Sequence, residues 1–382
     1  MIKKSADVVI IGGGVVGSSI AFNLAKNGCN DVVILEKNFL ASGSSGRCAA
    51  GIRQQWGTEM NCKLAKGSME IFENINEILE VERNIDLKQG GYLLLAFSDE
   101  ELEQFRKNIK LQHKFDIPSR ELSFKEAKEI VPYINLDGVE GAAFCPTDGH
   151  ANPFYVTQAY AEAAEKLGVE INTFTKALDI DLENGKIVGV KTDKGYIKTD
   201  TVVNAAGGYA KDIAKMLGLD IPAKAERHEI LVTEPVNQIQ GPMVMSFSYN
   251  IYCQQTPDGS FLMGYGPDNP PESHATNSSW SFLGKMARKT TNLLPLLGNL
   301  RVVRQWAGSY TMTPDSQPII DESKEVEGFY MAVGFSGHGF MISPMTGKII
   351  AEMITGKELS IDLKLELERF DKGNLILEPS VV

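Results

Sequence analysis

No run of this chain is long and apolar enough to cross a membrane, and none of its five cysteines stands in a C-x-x-C pair. The first absence leaves no spanning helix. The second removes the common zinc and iron–sulfur patterns, and the odd, scattered set Cys29, Cys48, Cys62, Cys145 and Cys253 suits a reducing compartment better than a disulfide framework. A basic excess is also missing. Lys plus Arg number 38 against 49 Asp plus Glu, for a net charge of -11, which excludes a nucleic-acid surface. Internal repeats and low-complexity tracts are absent too. What remains is an ordinary globular composition, 43% hydrophobic and 23% charged, in 382 residues, enough for two domains. Two lysines before an apolar run give the N-terminus a leader-like look, but Ser5-Ala6-Asp7 and the glycines inside the run break that pattern. A cytoplasmic location is expected.

The chemistry begins in that same run. "ADVVIIGGGVVGSSIAFNLAKNG" reads as a strand, a glycine turn and a helix ending at Gly28, and "DVVILEK" as a second strand ending at Glu36. Gly12, Gly14 and Gly17 form G-x-G-x-x-G between strand and helix, with Val15 and Val16 opening the helix. Glu36 falls about 20 residues on, where a carboxylate bonds a ribose hydroxyl, with Lys37 beside it. The turn, helix, second strand and acid together point to a dinucleotide. Small residues then crowd Ser42 to Gly51, which reads either as backbone packed on a flat ligand or as a flexible surface loop.

Further on, residues 59–82 look helical, a helix starts near Ser98, and another starts near Asn152-Pro153. "KIVGVKTDKGYIKTDTVVNAAGGYA" reads as a hairpin and a buried strand, residues 220–310 are strand-rich, and "GFYMAVGFSGHGF" is a last buried strand entering a glycine loop. Pro344 after that loop reads as a helix start, with an amphipathic run to Gly356. Glycines that admit close approach, just before a helix N-terminus, suit an anionic or electron-accepting group. The expected class is α+β in two domains: a Rossmann-like nucleotide domain from 1–85, 140–218 and 326–382, and an inserted antiparallel-sheet substrate domain from 86–139 and 219–325.

The motifs "VVIIGGGVVGSSIA", "ILEK", "VVNAAGGYA", "QWAGSYTMTPDSQPIID" and "AVGFSGHGF" resemble, in order and over nearly the whole length, the FAD-dependent amine oxidoreductases typified by D-amino-acid oxidase and sarcosine oxidase. Within that superfamily "GIRQQW", "RHEILVTEP", "RQWAGSYTMTPD" and "GFSGHGFMISP" are most similar to the catalytic β subunits of dye-linked L-proline dehydrogenases, and next to those of heteromeric sarcosine oxidases.

The resemblance implies FAD. It places Ser44, Ser45, Arg47, Cys48, Ala49 and Gly51, together with Ala205, Ala206, Gly207, Trp306 and Gly308, against the cofactor, and Ala177 at the adenine. Gly337, His338, Gly339, Phe340 and Met341 would lie along the flavin, with the following helix aimed at the end that gains negative charge on reduction. Where relatives attach FAD through a cysteine, this chain has Gly308, so the FAD is expected to be non-covalent.

Amino-acid oxidation needs a clamped carboxylate and an unprotonated amine held over the flavin. The resemblance implies Arg53 as the clamp. A second cation of sarcosine oxidase is replaced by Met341, leaving Ser343 or Tyr252 to complete the site. His228, Tyr252 and Tyr310 would sit over the flavin, His228 beside the substrate amine. A lysine that promotes reaction with oxygen in sarcosine oxidase aligns with Leu262. The expected reaction is therefore hydride transfer from an L-proline-like amino acid or secondary amine to flavin, with the electrons leaving to a non-oxygen acceptor. A second, electron-accepting subunit would receive them, possible also at a membrane surface; a homo-oligomer is the other assembly. Alternatives are a sarcosine, glycine or D-amino-acid oxidase, and a catalytically silent FAD-binding subunit.

Overall fold

A computed structural model of the chain describes residues 2–266 and 270–379. Two large sheets organise it. The first has six strands in the order Ile319–Glu322, Phe329–Val333, Thr201–Asn204, Val8–Ile11, Val32–Leu35 and Glu170–Asn172. All neighbours are parallel except Ile319–Glu322, which runs antiparallel to Phe329–Val333. Val8–Ile11, Val32–Leu35 and Phe329–Val333 are apolar and buried at every position, as strands covered on both faces must be. Successive side chains go to opposite faces. Val8, Ile10, Val32 and Ile34 join the core under helices Val15–Lys26, Pro153–Lys166 and Gly339–Ile354. Val9, Ile11, Val33 and Leu35 join a second core beneath a three-stranded antiparallel sheet spanning Ala177–Lys198.

The other sheet has eight strands in the order Val302–Met312, Lys224–Thr233, Phe261–Tyr265, Ile251–Gln255, Met243–Ser246, Tyr92–Ala96, Gly141–Cys145 and Arg120–Leu122. One neighbouring pair, Tyr92–Ala96 with Met243–Ser246, is parallel and the rest are antiparallel. This is the expected two-part α+β architecture. Strand pairing puts residues 141–145 in the second sheet and 319–322 in the first, across the expected boundaries at 140 and 325.

Local signals hold where capping chemistry is explicit. Ser98 accepts from the Glu101 N–H to cap Asp99–Gln112, and Asn152 accepts from Phe154 and Tyr155 N–H groups ahead of Pro153. Two helices depart from expectation. The stretch 59–82 breaks into Glu59–Glu73 and Ile75–Leu79 at Asn74. The last long helix starts at Gly339, so Pro344 lies inside it. A proline there leaves the Phe340 carbonyl without its usual N–H, and the Ser343 hydroxyl donates to that carbonyl at 2.8 Å instead. The helix is also buried along most of its length between Val15–Lys26 and Glu59–Glu73, so its pattern is less amphipathic than expected.

Candidate cofactor and substrate site

The nucleotide turn is built by contact distances that only glycine allows. Gly12 has φ +124°, and a Cβ there would lie 2.3 Å from the Ala205 carbonyl oxygen. A Cβ at Gly17 would lie 2.0 Å from the Gly12 carbonyl oxygen, which is how the helix from Val15 comes to sit so close to the turn. Glu36 is buried at the end of its strand. Its carboxylate accepts from the Gly13 N–H at 2.9 Å through Oε2, and from the Asn38 N–H at 2.8 Å and Ser42 Oγ at 3.4 Å through Oε1, which leaves a lone pair on Oε2 for a ribose hydroxyl. The Thr175 N–H donates to the Glu36 carbonyl at 2.8 Å, which brings Ala177, two residues on, close to the end of the Glu36 strand.

The Ser42–Gly51 segment is an ordered loop packed across the opening of this turn. Ser45 Oγ accepts from the Val15 N–H at 3.0 Å, and Ser44 Oγ donates to the Ser309 carbonyl at 2.7 Å. The Trp306 indole donates to the Arg47 carbonyl at 3.0 Å, so its polar edge is engaged by that loop. Gly308 faces the Arg47 side chain, which a Cβ would approach to 3.2 Å. Trp306, Gly308 and Tyr310 alternate along one strand and therefore present one face to the loop. Lys37 lies elsewhere: its ammonium sits 3.0 Å from the centre of the Tyr209 ring.

Next to this loop lies a cavity whose lining draws on both sheets. Cys48–Gly51 and Ser336–His338 supply backbone, and Tyr92, Met243, Met245, Tyr252, Tyr310 and His228 supply largely apolar walls. Ala50 and Ser336, both in the lining, have left-handed backbone, φ +52° and +46°. Arg53, Tyr252, Tyr310 and His228, expected together from the sequence, all line the cavity, as do His338, Phe340 and Met341. Ser343 does not: it is fully buried and its hydroxyl is committed to Phe340, which removes it as a carboxylate partner.

Arg53 is 4% exposed. Its guanidinium stands 4.0 Å over the Trp56 ring and donates from Nη1 to the Gln55 carbonyl at 2.6 Å. Burial pulls its pKa below the usual arginine value, with nearby Tyr92, Glu378 and Asp148 opposing that shift. Asp148, buried behind the same turn, accepts from the Gln54 N–H at 2.8 Å and Gln55 Nε2 at 2.9 Å, and burial raises its carboxyl to about 6. The His228 ring stacks on Tyr310 with centroids 3.8 Å apart, and its Nε2 is buried without a hydrogen-bond partner. Desolvation lowers His228 to about 4 and His338 to about 3, so both imidazoles are neutral at pH 7. His338 Nε2 likewise has no hydrogen-bond partner, and its ring meets Trp56 edge-on at 5.0 Å. Tyr252 is pushed well above its usual pKa by burial, and the Cys48 thiol is raised to about 11 for the same reason.

These features fit FAD. A glycine cradle meets a second strand end at Ala205, a buried carboxylate stands at the ribose position, and partnerless histidine nitrogens line a cavity beside the loop. Residues 7–353 match the family model described as DAO: FAD dependent oxidoreductase. The chain belongs to that family. It is similar to the sarcosine oxidase subunit beta of Rhodobacter capsulatus, 26% identical over 381 residues, covering 98% of this chain and 91% of the relative. Among solved structures it superposes on L-proline dehydrogenase from P. horikoshii with TM-score 0.91 and 39% identity, covering 98% and 100% of the two chains. Glycine oxidase from Geobacillus kaustophilus follows at TM-score 0.87 and 25% identity, covering 96% and 99%. The protein is an FAD-dependent oxidoreductase of a family acting on amino acids and amines.

Sequence reasoning missed several walls of this oxidoreductase's cavity: Trp56, Tyr92, Met243 and Met245. One signal was available for Tyr92. It follows Gly90-Gly91, and Gly51 approaches it so closely that a Cβ would fall 1.7 Å from the Tyr92 hydroxyl. Trp56 stood in the quoted "GIRQQW" segment, three residues from Arg53, and its Nε1–H donates to the Arg53 carbonyl at 2.9 Å. Among the described residues no cluster of His, Cys, Asp and Glu is arranged to hold a metal ion, and no helix is long and apolar enough to cross a membrane.

Proposed function

We propose that the protein oxidises the C–N bond of a secondary-amine amino acid of the L-proline type and passes the electrons to an acceptor other than oxygen. The observation that carries this reading is Arg53: a buried guanidinium, stacked on Trp56, set into an otherwise largely apolar cavity wall beside the glycine loop. Such a cation suits an amino-acid carboxylate, gripped by two parallel N–H bonds. FAD, when bound, supplies the two-electron acceptor. Gly12, Gly14, Val15, Val16, Gly17 and Glu36 would hold its nucleotide half, and the residues from Gly337 to Met341 its ring.

The remaining groups orient the substrate. Tyr92, Tyr252, Met243 and Met245 offer a ring-sized apolar wall. His228, neutral and with a free Nε2, accepts a hydrogen bond from the amine but is too weak a base to retain its proton. The amine must therefore arrive unprotonated. The six-stranded half would carry the cofactor and the eight-stranded half the substrate walls. By resemblance Leu262, in the strand Phe261–Tyr265, stands where sarcosine oxidase has its oxygen-promoting lysine, and its side chain is neutral. With no such cation, a second subunit is the proposed receiver of electrons.

Anaerobic mixing with a panel of amino acids tests this. Bleaching of the flavin absorbance by L-proline and its N-alkyl analogues, ahead of glycine and D-amino acids, is expected. Preferential bleaching by glycine would make the protein a glycine-type enzyme, and no bleaching by any amino acid or amine would make it a silent subunit.

A further inference from the structure

The cavity's clamp is held from outside by a segment remote in sequence. Arg369 and Asp315 form a buried ion pair, Nε to Oδ2 at 2.8 Å, and Arg369 also donates to the Gln317 carbonyl at 2.8 Å. From this anchor the chain continues outward. The Asn374 N–H donates to the Arg369 carbonyl at 2.8 Å and the Ile376 N–H to Asp315 Oδ2 at 3.2 Å. Glu378 then enters the protein and is nearly inaccessible. Its carboxylate accepts from the Gly57 N–H at 2.8 Å, Thr58 Oγ1 at 2.9 Å and Asn61 Nδ2 at 2.8 Å.

Those partners open the helix Glu59–Glu73. Its N-cap residue, Thr58, makes no side-chain capping bond, and its hydroxyl donates to Glu378. The Glu378 carboxylate thus sits against the start of this helix, where a negative charge is favoured by the helix dipole. Pro379 seats on Gly57, where a Cβ would come within 2.4 Å of the proline ring. Gly57 directly follows Trp56. The Trp56 ring carries the Arg53 guanidinium at 4.0 Å, and the Trp56 indole donates to the Arg53 carbonyl.

We propose that Glu378 is a positioning residue for the carboxylate clamp. By fixing Gly57 and Thr58 it fixes Trp56, and through Trp56 the aim of Arg53 into the cavity. This rests on the reading of Arg53 as the substrate's carboxylate partner. Loss of Glu378 frees the 53–58 turn while leaving the nucleotide cradle at Gly12–Gly17, far from these contacts, intact.

The test uses full-length holoprotein and anaerobic flavin reduction, in which half-saturating substrate concentration and limiting rate are read separately. For Glu378→Ala, the half-saturating L-proline concentration is expected to rise at least about tenfold, with flavin content, visible spectrum and limiting rate little changed. Glu378→Gln, which keeps the shape but loses the charge, is expected to recover part of this. With prolinamide, which has no carboxylate, wild type and Glu378→Ala should not differ. An unchanged half-saturation for proline, or an equal loss with prolinamide, overturns the proposal. Should Glu378→Ala fail to fold, Thr58→Val removes one of the three bonds and is read by the same two criteria. A wild-type flavin that no amino acid reduces would instead overturn the functional reading itself.

Discussion

Replacing Arg53 by alanine is the most direct perturbation of the cavity. The side chain is 4% exposed, stacks on Trp56 at 4.0 Å and is tied to the Gln55 carbonyl, so its guanidinium is fixed before substrate arrives. Removing one partner of a buried, charge-assisted contact costs about 2–5 kcal/mol. At about 1.4 kcal/mol per factor of ten, half-saturation by L-proline should worsen by about 30-fold to several thousand-fold. Arg53→Lys keeps the charge but loses the fork and the ring stacking, and should fall between wild type and alanine. The assay is anaerobic flavin bleaching against substrate concentration, with thermal unfolding followed in parallel to separate binding from the stability cost of an emptied site. Prolinamide serves as internal control, since it lacks the carboxylate charge and the second acceptor oxygen that the guanidinium grips. Half-saturation for proline within about threefold of wild type, in a protein that still holds its flavin, would remove Arg53 from the site and with it the reason to read the substrate as an amino acid.

Gly17→Ala forces a Cβ to 2.0 Å from the Gly12 carbonyl and should weaken FAD retention at least about tenfold, measured as flavin-to-protein ratio after gel filtration; full retention would refute the cradle. Acid precipitation should leave the yellow colour in the supernatant, because Gly308 offers no nucleophile and burial keeps the Cys48 thiol protonated; colour in the pellet refutes a non-covalent cofactor. Protein reduced by substrate and then mixed with air-saturated buffer should reoxidise slowly yet turn over rapidly on an artificial dye, and oxidase-like reoxidation with stoichiometric peroxide contradicts the acceptor proposal. His150 and His228 are held at about 4 and His338 at about 3, below the ordinary 6.5, so the unfolded chain takes up their protons first as pH falls. That stabilisation is complete above pH 6.5 and is lost on going down toward 4; Asp148, raised to about 6, and Asp321, also raised by burial, oppose it but are two groups against three. The melting temperature should therefore drop steadily from pH 6.5 to 4, and a flat or rising profile would show that these rings are hydrated in solution.

The nucleotide half was legible because its chemistry is local. Gly12, Gly14, Gly17 and Glu36 lie within one strand–helix–strand unit, and the contacts of Gly17 with the Gly12 carbonyl and of Glu36 with the Gly13 N–H close inside that unit. The cavity was only half legible. Arg53 and His228 could be named by resemblance, but Tyr92 and Met243 meet because their strands pair in parallel across a long stretch of chain, and pairing register is not written in either strand alone. Pro344 misled for a different reason. Proline usually marks a first turn, and the compensation that admits it deeper in the helix is the Ser343 hydroxyl, one residue away but visible only once the helix start at Gly339 is known. The latch from Glu378 to Thr58 spans 320 positions and leaves no periodic trace.

The strand order of the first sheet also fixes when the protein can acquire its cofactor. Val8–Ile11 lies between Val32–Leu35 and Thr201–Asn204, and the latter is flanked in turn by Phe329–Val333. A ribosome adding about 5–20 residues per second therefore releases the glycine turn tens of seconds before the strand and helix that complete its surroundings. Until Thr201–Asn204 emerges, the earliest strand has one of its two partners, and until Phe329–Val333 emerges the sheet keeps an edge open to other chains. Completion of the cofactor's surroundings thus waits on the last strand and helix, and until then the half-made sheet offers an unpaired edge.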